Sequence, residues 1–507
     1  MAEQKTKRNP WAWIPTLYFT QGIPYVMVMS VSVMMYKNLG VSNTDIAFFT
    51  SLLYFPWFLK FLWGPFIDMF KTKRFWTITM QLFVGIALFG IAFGLPTAFY
   101  WHLTLIVFAL MAFASATHDI AADGFYMLSL DQPQQAAFVG VRSTFYRIAT
   151  IVGSGILVVI AGELAPKMGV KGAWSVVFMI TGTLFIALFV YHKFILPYPV
   201  EDKGTFKNKK LSGAQIGLLG GGFILFAGLI YLVFLIISFI LIASGIISPW
   251  NTIVSTIILV LIMVILFRTF VATFVERFEQ TEIKNEALLP FIEFLKAFVV
   301  FMQKKDIWTI LGFLLFFRFA EAQLVKLVQP FLLDPRNEGG LGLTVSEVGI
   351  VYGTVGIIAL TAGGLIGGYV ISKKGLKWWL WPMVIIMHTP DLAFVYLSHY
   401  QPSNFVLINI AVAAEQFGYG FGFTAYMMFM IMISQGEHKT AHYAICTGIM
   451  ALGMMLPGMY SGALQEQIGY SSFFIWVIAS TIPGFIVAAL VKIDPEFGKK
   501  KTEVAAA

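Results

Sequence analysis

The chain has 507 residues, of which 58% are hydrophobic and 12% charged, about half the charged fraction of a soluble globular protein. With a single cysteine, Cys446, it can hold neither a disulfide framework nor a cysteine-built zinc site. In so apolar a chain the formal net charge of +8 reports where the loops lie around a bilayer rather than an affinity for nucleic acid.

Apolar runs of about 20 residues mark the expected spans. Six come first, at about 11–37, 45–64, 75–97, 102–127, 143–163 and 173–196. The first is too long for the apolar core of a cleavable signal and lacks a clear cleavage site. A basic stretch at 201–210 follows, then two very apolar segments at about 213–245 and 250–272. Residues 283–305 have the pattern of an amphipathic helix lying on the cytoplasmic face. Six more spans are expected at about 307–333, 345–371, 377–397, 404–434, 441–463 and 471–492. The expectation is an all-α membrane protein of 14 spans: a six-helix bundle over 1–200, a linker over 201–306 holding two extra helices, and a second six-helix bundle over 307–507. Most of the 34 Lys and Arg fall on one side of this map, among them Lys5, Lys7, Arg8, Lys71, Lys73, Arg74, Lys373, Lys374 and Lys377. The other side carries Lys37, Lys167, Lys171 and Arg336. The bias places the N- and C-termini in the cytoplasm.

Several charges fall inside spans. Arg318 and Glu321 lie within the run that starts at Ile307. A charge at membrane depth costs roughly 2.5–3.5 kcal/mol on insertion scales, so such residues need a partner or a water-filled cavity. Their spacing of three residues puts them on one helix face, and their pairing would let both persist there. Lys326 lies on the same span, and Glu415 and Gln416 lie at mid-depth on another. Tyr18, Gln21 and Tyr25 flank Gly22 and Pro24 on the first span. Asp119 and Asp123, at i and i+4 beside His118, share one helix face, and Lys60 on the second span and Arg147 on the fifth lie at similar depth. Arg147 with either aspartate also fits a static ion pair, and His118 also fits a simple hydrogen bond to a neighbour. His388 and Asp391 are expected near the outer end, solvated, and His442 at the interface. The Gly418, Gly420 and Gly422 series suits close helix packing. Desolvation suits Glu321 and Glu415 to take and release protons near neutrality. No Walker A sequence, catalytic triad or zinc-protease motif occurs, so an ion or substrate gradient is the expected energy source and no cofactor is expected.

The loop from Gly64 through Asp68 to Arg74 resembles the G-x-x-x-D-x-x-[GK]-[RK] pattern of the major facilitator superfamily. The loop from Gly368 to Gly375 repeats it in part, with Ser372 in place of the acid. In this pattern the glycine is expected to allow close helix approach, and Asp68 with Arg74 to form part of a cytoplasmic gate. The resemblance implies two six-helix bundles related by an axis along the membrane normal, with the site between them at mid-depth.

A narrower resemblance covers both halves. The stretch from Leu59 to Asp68, the run from Ser115 to Asp123, Tyr146 with Arg147, the stretch from Phe317 to Ala322 and the run from Glu415 to Gly420 are similar to the AmpG-type muropeptide permeases. The departures keep the chemical type: His118 stands in place of an amide, Arg318 in place of Lys, Glu321 in place of Asp and Gln416 in place of Asn. The resemblance implies a non-enzymatic, proton-coupled importer of GlcNAc-1,6-anhydro-MurNAc and its peptide derivatives in the bacterial inner membrane, active in cell-wall recycling. Its partners would be an amino-sugar substrate, protons and lipid, and it would act as a monomer. Acetyl-CoA transporters belong to the same broader group, and another sugar or a drug is a further alternative on this fold. Tyr18, Gln21, Tyr25, Arg318, Lys326 and Gln416 are then expected to bind substrate. Asp119, Asp123, Glu321 and Glu415 are expected to carry protons, and Lys60, Asp68, Arg74 and Arg147 to form gating ion pairs.

Overall fold

The computed structural model describes residues 8–69, 71–200, 202 and 289–499. The expected extra helix pair at 213–245 and 250–272 and the basic stretch at 203–210 lie outside them, as does the side chain of Asp68. All the regular structure among the described residues is helical. In the first half the helices are α1 (Ile14–Val26), α2 (Ser32–Asn38), α3 (Asn43–Leu52), α4 (Phe55–Met69), α5 (Lys73–Gly94), α6 (Tyr100–Ser129), α7 (Gln132–Ile151) and α8 (Val158–Ile195). In the second half they are α9 (Leu289–Met302), α10 (Ile307–Phe316), α11 (Phe319–Leu333), α12 (Val345–Ile350), α13 (Ile357–Lys374), α14 (Leu376–His388), α15 (Leu392–Tyr400), α16 (Phe405–Ile433), α17 (Lys439–Ala479) and α18 (Ile482–Leu490).

Eight helical stretches among the described residues are long and apolar enough to cross a membrane. Two of them, Gly140–Ile195 and Lys439–Leu490, run to 56 and 52 residues. At about 1.5 Å per residue each is long enough to cross a hydrocarbon core twice. Each contains a break at a left-handed glycine, Gly169 (φ 77°) and Gly469 (φ 75°), a conformation that costs glycine little. Helix therefore occupies each of the twelve core segments read from the sequence. Of the expected amphipathic segment, the described part is α9, which turns Ala297 and Phe301 inward and Lys296 outward.

The chain packs as two units that cut across the sequence halves. The first comprises Met1–Met29, Leu52–Ala149 and Trp174–Lys304, and the second Ser30–Ser51, Thr150–Ala173 and Lys305–Ala507. Among the described residues of the first unit, α5 runs along α6, and α1 and α4 also pack on α6. Trp13, Ile14, Leu17, Phe125 and Leu130 form an apolar core between them. Gly22 lets α1 press against α7, because a Cβ there would lie 2.7 Å from the Ala149 Cβ.

In the second unit α13 and α14 pack along α16, and α11 packs along α17. Two first-half segments join them. Ser30–Asn38 lies against α11, and the π-helical turn Val152–Leu157 crosses a second π-helical turn, Val351–Gly356. That crossing is a backbone contact. A Cβ on Gly155 would meet the Thr354 hydroxyl at 2.6 Å, and one on Gly353 would overlap the Ser154 carbonyl.

The glycine series on α16 packs as expected. A Cβ on Gly418 would overlap the Ile386 carbonyl, one on Gly420 the Leu360 carbonyl, and one on Gly422 would sit 2.5 Å from the Met387 Cβ. The loop-motif glycines do not behave as expected. Among the described residues a Cβ on Gly64 or Gly368 meets nothing within 4 Å, so neither mediates a close approach to a described helix. Gly420→Ala should therefore lower stability by about 1–3 kcal/mol through overpacking. Gly368→Ala should leave stability unchanged or raise it by up to about 1 kcal/mol through helix propensity. Thermal melts of the two purified variants check the opposite signs.

Candidate functional site

The predicted site residues fall into two clusters, one in each unit. In the first unit, i,i+4 spacing places Asp119 and Asp123 on the face of α6 that meets α1 and α4. The Tyr18 hydroxyl donates to Asp123 Oδ1 at 3.2 Å and the Trp57 indole N–H donates to Asp119 Oδ2 at 3.2 Å. Gln21 is a further side-chain partner of Asp119, and Lys60 lies within its electrostatic reach. Tyr25 stands edge-on to Trp57, with ring centroids 5.2 Å apart. Asp123 pairs with Arg142 at 2.7 Å, a cation that the sequence reading did not single out beside Arg147. Arg142 also covers the rings of Tyr18 and Tyr126 at 4.4 and 4.9 Å, within the range of a cation–π contact. Read by sequence, Arg142 counts as one more cytoplasmic positive charge. Its position one turn and a residue before Arg147 was the available signal.

His118 takes the simpler of its two expected roles. It is buried and hydrogen-bonded to Gln81 at 3.0 Å, and Gln81 Oε1 lies 2.8 Å from His192 Nδ1. The Thr16 hydroxyl lies 2.9 Å from His192 Nε2. This buried chain ties α1, α5, α6 and α8 together. Arg74 is anchored on the end of the sixth expected span and its following loop. It donates to the carbonyls of Lys193 and Leu196 at 2.5 and 3.3 Å and lies 3.9 Å from the Tyr198 ring centroid. Asp202 accepts from the backbone N–H groups of Lys73 and Arg74 and so caps α5.

In the second unit the run from Ile307 to Leu333 is not one helix. It breaks at Phe317 and Arg318, where Arg318 (φ −108°, ψ 18°) precedes α11. The Arg318 guanidinium donates to the Tyr419 hydroxyl and lies 4.9 and 4.8 Å from the ring centroids of Tyr419 and Phe423. The hydrogen-bonded pairing with Glu321 expected from their spacing does not form. Glu321 is fully buried and neither carboxylate oxygen has a hydrogen-bond partner. The break turns the guanidinium to α16, one turn beyond Glu415, while Glu321 projects from the first turn of α11. Tyr419 was legible in principle, since it follows Glu415 by four residues on one face.

Glu415 is 1% exposed, accepts from Gln416 Nε2 at 2.9 Å, and leaves Oε1 without a partner. Gln416 thus serves the carboxylate beside it. Lys326 is buried, with its ammonium donating to the Thr50 hydroxyl at 2.9 Å. His388 and Asp391 are buried, 5% and 1% exposed, rather than solvated, because the ninth of the twelve core spans, at 377–397, breaks at Thr389–Asp391 and the break lies against α16. His442 is also buried. Among the described residues no group of three His, Cys, Asp or Glu side chains is placed to hold a metal ion.

A separate polar lattice in the second unit is centred on Asp334, which pairs with Lys37 at 2.5 Å. The Tyr470 hydroxyl donates to Asp334 Oδ2 at 2.6 Å, and the Asn43 amide donates to Gln465 Oε1 at 2.7 Å. This buried lattice joins α2 and α3 to α11 and α17.

Residues 21–386 match the BT1 family. The chain belongs to that family. A transporter of Rickettsia conorii designated AmpG 4 is 24% identical over 487 residues, covering 93% of this chain and 94% of its own. The anhydromuropeptide permease of Escherichia coli K12 is 20% identical over 490 residues, covering 95% and 79%. Among solved structures, a POT family transporter in complex with 5-aminolevulinic acid has a TM-score of 0.63 at 11% identity, covering 95% of this chain and 96% of its own. A bacterial homologue of the lysosomal transporter Spinster has a TM-score of 0.59 at 14% identity, covering 96% of each chain. The chain is therefore a multi-pass membrane transporter of the BT1 family, similar to AmpG-designated transporters, that handles a small-molecule substrate.

The Arg318–Tyr419 contact should carry measurable coupling. A double-mutant cycle with Arg318→Leu and Tyr419→Phe, read from unfolding free energies of the purified protein, should give about 1.5–3 kcal/mol for a hydrogen bond to a charged group. A value under about 0.5 kcal/mol would mean that the two act independently.

Proposed function

We propose that the chain is a proton-coupled importer of GlcNAc-1,6-anhydro-MurNAc and its peptide derivatives in a bacterial inner membrane, working by alternating access. The observation that carries the reading is Glu321, a fully buried carboxylate with no donor on either oxygen, near the guanidinium of Arg318 and the carboxylate of Glu415. Keeping an ionised carboxylate buried and unsolvated costs several kcal/mol. A proton removes that cost, and an arriving charge restores it.

The cargo assignment rests on the anhydromuropeptide permease relative and on the cargo's own carboxylates, for which Arg318 is a planar two-pronged partner. In this reading the substrate carboxylate replaces the Tyr419 hydroxyl on Arg318. Proton loss from Glu321 or Glu415 on the cytoplasmic side then weakens substrate binding through the added negative charge. Within the first unit, Tyr18, Gln21 and Tyr25 are neutral hydrogen-bonding and stacking groups, and Asp119 is a further proton acceptor. Asp123, bonded to Arg142 and Tyr18, holds helices together.

Uptake of radiolabelled GlcNAc-1,6-anhydro-MurNAc into proteoliposomes should collapse on adding an uncoupler. Glu321→Gln and Glu415→Gln should abolish accumulation while retaining substrate counterflow. Normal accumulation in both variants would remove the proton role, and thermal stabilisation by acetyl-CoA alone would replace the cargo.

Alternating access requires the Lys37–Asp334 lattice to open toward the outside. Ala47, fully buried beside Gly462, reports on it. In a Cys446→Ser background, Ala47→Cys should label several-fold faster with an impermeant maleimide when Asp334→Asn is added. Equal labelling rates would show that the lattice does not restrain opening.

A further inference from the structure

The ninth span carries two titratable side chains that the proposed cycle leaves unused. His388 ends α14, and Asp391 ends the short 3-10 turn Thr389–Asp391 that interrupts the span at Pro390. A solvated pair at such a break would need no explanation, but both side chains are more than nine-tenths buried. They meet each other, with His388 Nδ1 at 3.3 Å from Asp391 Oδ2. Their remaining polar atoms, His388 Nε2 and Asp391 Oδ1, have no hydrogen-bond partner.

The break is pressed against α16 at a defined place. Gly418 admits it, since a Cβ there would lie 3.2 Å from the Pro390 Cγ and would overlap the Ile386 carbonyl. Gly418 is three residues after Glu415, so the turn that admits the break is the turn that carries the acid. Asp391 lies within electrostatic reach of both Glu321 and Glu415. The charged groups that reach Asp391 are Glu415 from α16 and Glu321 from the start of α11. The Phe485 ring of α18 is 5.8 Å from the His388 ring. Lys326, the remaining cation of α11, is turned to Thr50.

We propose that His388 and Asp391 are proton-binding residues of the same site as Glu321 and Glu415, so that the ninth span takes part in proton coupling. Three buried carboxyl groups with unfilled oxygens lie within electrostatic reach of one another, and the guanidinium near Glu321 is bonded to a tyrosine. They therefore share protons rather than ionise together. His388 is the exchange partner: a proton leaving Asp391 Oδ2 passes to His388 Nδ1, and one leaving Nδ1 returns to the carboxylate. Nε2 is the free end through which the pair gains or loses a proton. The inference rests on the reading of Glu321 and Glu415 as proton carriers.

The test needs no cargo. Infrared difference spectra of the purified full-length protein are recorded against pH, and the carboxylic C=O bands of Glu321 and Glu415 are assigned by their loss in Glu321→Gln and Glu415→Gln. Removing a neighbouring negative charge favours ionisation of the acids that remain. Asp391→Asn should therefore move the midpoint of those bands to lower pH by about one unit or more, the scale of a coupled titration. His388→Gln keeps a donor but cannot hold the second proton. It should also move the midpoint, and it provides the test if Asp391→Asn does not fold. Bands that titrate in the wild type but keep their midpoint in both variants would overturn this inference and leave the proton-carrier reading intact. If neither Glu321 nor Glu415 titrates in the wild type, both readings fall.

Discussion

The cost of holding charge inside an apolar bundle governs the arrangement of the second unit. Arg318 is 5% exposed and cannot shed its charge, so the structure must bring groups to it. The span at 307–333 breaks at that residue, α16 supplies a tyrosine hydroxyl and two ring faces, and the Glu321 carboxylate lies within its electrostatic reach. Glu321, the acid nearest in sequence, is not hydrogen-bonded to it. A guanidinium held by a hydroxyl and by ring faces can exchange them for an anionic ligand at lower cost than breaking a closed buried ion pair. In the first unit Asp123 is partly exposed and already paired with Arg142 and Tyr18.

Close helix approach is the second constraint. The glycines of α16 and the two π-helical turns at Val152–Leu157 and Val351–Gly356 bring backbones into contact. Where lipid offers no hydrophobic drive between helices, such packing is what holds spans together. It also explains why the packing units ignore the sequence halves. Thr150–Ala173 belongs with the second unit because Gly155 and Gly162 admit Thr354 and Ser346 at contact distance. Ser30–Ser51 belongs there because Lys37 and Asn43 enter the Asp334 lattice.

Much of this was legible in the chain. Span positions follow from runs of apolar residues, because the bilayer fixes their length, and helices occupy those positions. The importance of Arg318, Glu321 and Glu415 follows from the cost of charge at depth, and all three proved buried. The loop motifs and the order of polar groups along the spans gave the family resemblance, which the BT1 match over residues 21–386 bears out. Pairing was not legible. Spacing places residues on faces, but it does not pick out Arg142 as a partner for Asp123, or Tyr419 rather than Glu321 as the hydrogen-bond partner of Arg318.

What the sequence determined by itself was periodicity and cost: where helices form, which residues cannot face lipid, and which glycines leave room for a neighbour. Tertiary structure decided the rest. It buried His388 and Asp391 at a helix break where hydropathy alone would have left them solvated, and it left Gly64 and Gly368 facing open space despite the motif they belong to. The reason is that hydropathy and spacing are properties of one helix at a time. Burial, pairing and close approach depend on which second helix arrives, and at what height.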